Sequence, residues 1–106
     1  MDQTAVVIVD TTGIIRYWSG GAENAFGHRA ETAVGRSLDL IVPEEFRSAH
    51  WTGFRRAMAA GSAAIEGLAS DFPVVAADGQ TVTRQGKLTL LRSAAANTIG
   101  AMVIFG

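Results

Sequence analysis

At 106 residues, 48% apolar and 18% charged, the chain has enough hydrophobic side chain for one buried core, too little for a second, and not the composition of a disordered segment. A formal net charge of −1, with arginines scattered apart from Arg55–Arg56, excludes the concentrated basic face that nucleic-acid binding requires. The absence of cysteine excludes disulfides, thiolate chemistry and sulfur-rich zinc sites, and no apolar run approaches the ~20 residues needed to cross a bilayer.

The first element is "TAVVIVD", apolar, β-branched and too short for a helix, which predicts a strand over residues 4–9. "DTTG" places Asp10 and Gly13 as in a tight turn, and "IIRYWS" resumes the strand pattern, so residues 4–18 read as a β-hairpin. No basic stretch precedes the first apolar run, so nothing reads as a secretory leader and the expected compartment is the cytoplasm.

The period then changes. Ser19 suits a helix N-cap, Ala22, Ala25 and Phe26 give a short apolar face, and Gly27 suits the C-terminus. A second short helix is expected from Ala30–Glu31 to Gly35. His28, just after Gly27, is expected in a solvent-exposed loop. "IVPEEF" opens the longest helix, with Pro43 at its first position, Glu44 and Glu45 where the helix dipole favours negative charge, and Gly61 as terminator. At 100° per residue, Phe46, His50, Gly53, Phe54 and Ala57 share one stripe, with Trp51 and Met58 at its edge, while Ser48, Thr52, Arg55 and Arg56 face away.

After Gly61 the pattern is β. Residues 64–76 predict a strand that "SDFP" interrupts with a bulge or kink. Asp78–Gly79 is a favoured hairpin pair, "TVTRQGKLTLLRS" a fourth strand, "AAAN" a loop and "TIGAMVIFG" a fifth. Gly86 in a core strand leaves space that a neighbouring aromatic would fill. The order β-β-α-α-α-β-β-β implies an α+β domain over residues 1–106, a five-stranded antiparallel sheet with short helices packed on one face and a pocket under the third helix. The last strand reaches the final residue, so a longer protein is expected to continue beyond it.

"DTTGIIRYWSGGAENAFGHRAETAVGRSL" resembles the opening of a PAS domain, with its D-x-x-G turn, A-E-x-x-F-G and E-x-x-x-G; "ADGQTV" and "IGAMVIFG" match later parts of that pattern. The resemblance implies the PAS fold and a sensory and dimerisation role, with catalysis left to an effector domain elsewhere; two-component signalling is the expected setting. A flavin photosensor working through a cysteinyl adduct is excluded, since there is no cysteine. "VPEEFRSAHWTGFRRAMAAG" is similar to the corresponding helix of the haem-binding PAS domains of rhizobial oxygen-sensor kinases, in which the histidine of R-x-x-H ligates iron. That resemblance implies haem b held by His50 as the metal ligand, with a diatomic gas or a redox change as the signal. Gly53 would let a flat macrocycle approach, and Phe46, Phe54, Ile65, Leu88, Met102 and Ile104 would supply apolar walls, with Met102 also a candidate sixth ligand. Those sensors place an oxygen-binding arginine where this chain has Ser70.

Read from the residues alone, His50 has a second interpretation: a half-buried core histidine hydrogen-bonded to a backbone carbonyl. Two alternatives for the whole domain follow. One is a cofactor-free dimerisation or docking module; the other binds a small metabolite or flavin without a covalent bond. In each case the expected state is a homodimer, formed through the N-terminal flank and the exposed sheet face, with a downstream effector domain as partner and no membrane contact.

Overall fold

The computed structural model describes residues 4–106, and five antiparallel strands form one sheet in the order β2-β1-β5-β4-β3. The strands are β1 Ala5–Asp10, β2 Ile15–Trp18, β3 Ala69–Val75, β4 Thr81–Arg92 and β5 Thr98–Phe105. Between β2 and β3 come α1 Gly20–Phe26, α2 Ala30–Ala33, two 3-10 turns at Leu38–Leu40 and Glu44–Phe46, and α3 Arg47–Ala60. The α+β architecture and the five-stranded antiparallel sheet are those the sequence implies. The N-terminal flank expected in a dimer lies outside the described residues.

Alternation makes the sheet two-faced. In β1, Ala5, Val7 and Val9 are buried while Val6, Ile8 and Asp10 are only half so. The β1–β2 turn closes on Asp10, whose Oδ1 accepts from the backbone of Thr12 (2.9 Å) and Ile14 (3.1 Å) and from the Thr12 hydroxyl (2.7 Å). β5 runs between β1 and β4, which brings the first and last strands side by side in the sheet. At Gly100 that crossing is close: a Cβ there would collide with the Val9 carbonyl.

α1 closes one end of the inner face. The Ser19 hydroxyl accepts from Ala22 N–H (3.1 Å) at the helix start and from Val6 N–H (2.8 Å) in β1, so one side chain caps the helix and ties it to the sheet. Phe26 is fully buried, with ring centroids 6.0 Å from Trp18 and 5.1 Å from Phe105.

Several local expectations change. Pro43 keeps extended backbone (φ −55°, ψ 140°), so a 3-10 turn intervenes and α3 begins at Arg47 rather than at Pro43. The strand expected over 64–76 is confined to Ala69–Val75, and it pairs with β4 without a bulge. Pro73 is accommodated because β3 is an edge strand, where a missing N–H is tolerated. His28 is half-buried instead of exposed: its ring lies edge-on to Trp18, with Nε2 3.4 Å from the Val75 carbonyl. The space at Gly86 is taken, since a Cβ there would lie 3.2 Å from the Phe105 ring and 3.0 Å from the Ile104 carbonyl.

Candidate functional site

α3 is long but shallowly seated: of its fourteen residues only Ala57 is buried. Between it and the inner sheet face lies a cavity of about 900 Å³. α3 contributes Ala49, His50, Gly53, Phe54 and Ala57 to its wall. The strands contribute Phe72 and Val74 from β3, Leu88 and Leu90 from β4, and Val103 and Phe105 from β5.

His50 is half-buried, and its Nδ1 is fully shielded with no hydrogen-bond partner among the described residues. Burial pushes the imidazole below its ordinary 6.5, and the Asp39 carboxylate only partly opposes this, so the ring is neutral at neutral pH. Among the described residues, Nδ1 lacks the hydrogen bond to a backbone carbonyl that would make His50 an ordinary core histidine. The ring lies edge-on to Trp51 (4.8 Å between centroids) and near-parallel to Phe54 (6.1 Å), which fixes its orientation on the helix.

One helical turn on, Gly53 leaves bare backbone at the cavity wall: a Cβ added there meets no heavy atom within 4 Å. No three His, Asp or Glu side chains converge among the described residues. A single imidazole can anchor only a metal that brings most of its own ligands, as iron in a porphyrin does. The neutral ring on the cavity wall, the bare turn at Gly53 and the volume of the hollow all fit such a group.

Of the residues expected at the site, Phe46, His50, Gly53, Phe54, Ile65 and Leu88 line the cavity. Met102 and Ile104 do not. They alternate with Ala101, Val103 and Phe105, so they project from the outer face of β5, where Met102 is paired with Ile8 and Thr89. Met102 therefore cannot reach a metal held by His50. Ser70 is on the inner face, opposite Gly86, but lies outside the cavity lining, and its hydroxyl donates to the Leu68 carbonyl (3.3 Å).

Other contributions were not anticipated. Arg56, expected to face away, stands at the rim with Ser62; it lies one turn beyond Gly53, which is the spacing that would have revealed it. Trp51 donates its indole N–H to Asp39 Oδ1 (2.6 Å) and lays its ring against Gly13, where a Cβ would overlap it. This clamp fastens the start of α3 to the β1–β2 turn. At the other end, Arg92 donates to the Gly61 carbonyl (2.9 Å) and to Glu66 (3.1 Å), while Glu66 accepts from Leu90 N–H (2.9 Å). The segment after α3 is thereby pinned to β4 at the cavity mouth.

Fold and site together define a hollow α+β domain with a large cavity that presents a histidine. The PAS fold family matches residues 3–105, and the chain belongs to that family. The chain is 24% identical to the oxygen sensor protein DosP of Escherichia coli strain K12 over 76 residues, covering 72% of this chain and 10% of that protein. It thus spans about a tenth of the length of that relative. The PAS domain of a Colwellia psychrerythraea protein superposes with a TM-score of 0.82 at 17% identity, covering 99% of this chain and 86% of the other. The RpfR quorum-sensing receptor PAS domain of Cronobacter turicensis, in complex with C12:0, superposes at 0.72 with 15% identity, covering 99% and 93%.

Proposed function

We propose that this chain is a regulatory input domain of a larger cytoplasmic signalling protein, without catalysis of its own, and that it holds haem b with His50 as the iron ligand. The observation that carries this reading is a neutral His50 on the wall of a 900 Å³ apolar cavity, one turn from the bare backbone of Gly53. Its family supports the sensory role, and DosP, an oxygen sensor protein by name, is a relative that detects a diatomic gas.

Bound haem would supply a redox-active iron that takes a diatomic ligand. His50 provides the neutral donor, and the rings of Trp51 and Phe54 hold it in place. Phe54, Leu88 and Val103 would keep water from such a group, while Arg56 at the rim would offer a cation to one of its carboxylates. A change in how His50 sits is transmitted to Trp51, and through its bond to Asp39 to the β1–β2 turn. The outer sheet face, with Tyr17 49% and Ile104 40% exposed, is the surface for a homodimer, to be checked by sedimentation.

A second reading is an acyl chain with its carboxylate at Arg56, favoured by the hydrocarbon walls and by the C12:0 complex of RpfR. Flavin is less well served, because no Asn or Gln side chain lines the cavity to meet the polar edge of its ring. Titration of the purified domain with haemin tests the choice. A Soret band saturating at one equivalent, lost in His50→Ala while circular dichroism is unchanged, is the expected result. A Soret band that survives in His50→Ala would overturn the assignment, and a colourless protein that takes up lauric acid would favour the acyl reading.

A further inference from the structure

Polarity around the cavity is one-sided. The lining side chains that carry nitrogen or oxygen are His50 and Arg56 on α3 and Ser62 just beyond it. The facing wall, built from Phe72, Val74, Leu88, Leu90, Val103 and Phe105, is hydrocarbon throughout. The backbone donors of β4 and β5 behind it are consumed by pairing with neighbouring strands on both sides.

The sheet does have polar side chains on or beside this face, and three of them are engaged elsewhere. Ser70 donates to the Leu68 carbonyl. Arg84, opposite Phe72 in the ladder, holds its guanidinium 5.7 Å from the centroid of the Phe26 ring. Arg92 is bound to Glu66 and to the Gly61 carbonyl. None of the three lines the cavity.

Given haem on His50, on which this inference rests, we infer that the site takes carbon monoxide or nitric oxide and discriminates against dioxygen. Dioxygen draws electron density from ferrous iron and depends on a nearby donor to stabilise the charge it gains. Carbon monoxide and nitric oxide draw far less and are content with hydrocarbon. A wall that points no N–H or O–H into the cavity therefore withholds what dioxygen alone needs.

The test uses the haem-reconstituted, reduced domain titrated with each gas and followed by its visible bands. Wild type is expected to bind both carbon monoxide and nitric oxide, and to hold dioxygen weakly with rapid oxidation to the ferric state. Leu88→Gln and Val103→Gln each set an amide on the sheet wall, and each is expected to raise the dioxygen-to-carbon-monoxide affinity ratio by about tenfold or more. The infrared C–O stretch of wild type reads the wall without any substitution, and it is expected at the frequency of an apolar surrounding. Stable dioxygen binding by wild type, a stretch shifted as by a donor, or a ratio unmoved in both folded variants overturns the inference while leaving haem on His50 intact. Failure to take up haem at one equivalent overturns both.

Discussion

The helices at the two ends of the inner sheet face solve opposite problems. α1 has seven residues, three of them buried, a side-chain cap at its start and Gly27 closing its end. α3 has fourteen, one of them buried, and no side-chain cap. α1 is pressed onto the sheet by Phe26 and Ser19; α3 is held off it by fastenings at its two ends, Trp51 to Asp39 and Gly61 to Arg92. A packed core and a ligand cavity need different attachment. The first uses area along the helix, the second uses clasps at its ends so that the middle can stand clear.

The sharpest way to break this contrast is to empty the packed end. Phe26→Ala removes a fully buried ring that touches Trp18 and Phe105, and a loss of about 3–5 kcal/mol is expected in urea unfolding. A loss under 1 kcal/mol would show that α1 does not organise the core. Ser19→Ala is next: it releases the helix cap and leaves Val6 N–H without its partner, for an expected loss of about 1–2 kcal/mol.

The hollow end should respond the other way. Gly53 is a mid-helix glycine with open space beside it, so Gly53→Ala is expected to stabilise the ligand-free domain by about 0.5–1 kcal/mol. Gly53→Phe, filling the same space, should leave the melting temperature within a few degrees and abolish the Soret band on haemin addition. Destabilisation by Gly53→Ala would mean that α3 packs more closely than its exposure indicates.

The contrast also explains what the sequence disclosed. α1 was legible because its cap, apolar face and terminator are all local: Ser19, Phe26 and Gly27 lie within nine residues. The stripe on α3 was legible from its period, and His50, Gly53 and Phe54 do share the cavity wall. The clasps were not, since Trp51–Asp39 and Arg92–Gly61 join residues 12 and 31 apart, and no periodicity encodes such pairs. Residues 64–68 read as strand because Ile65 and Leu68 are apolar, yet these side chains stay 41% and 59% exposed in a loop pinned by Glu66. Met102 and Ile104 stand outside the cavity because they share a parity opposite to that of Val103 and Phe105, and only one parity can face it.

The smallest expected effect lies at the turn against which Trp51 rests. Burial alone would raise the Asp10 carboxyl, but hydrogen bonds from the Thr12 hydroxyl, the Ile14 and Thr12 amides and the Arg16 guanidinium outweigh it, holding the group well below its ordinary 3.8. A carboxyl depressed in the folded state binds fewer protons there than in the unfolded chain. Its stabilisation is therefore complete above the unfolded value and lost as pH falls through the lower, folded one. Asp10→Asn should melt a few degrees below wild type at pH 7, with the gap narrowing once the pH drops below 3.8. A gap that stays constant down to pH 2 would mean that the turn is held by its backbone geometry, Gly13 N–H to Asp10 carbonyl at 3.0 Å, and not by charge. The Trp51 clamp would then rest on a turn that is insensitive to acid, and the two ends of α3 would differ in pH response, because the Glu66–Arg92 clasp still depends on an ionised carboxylate.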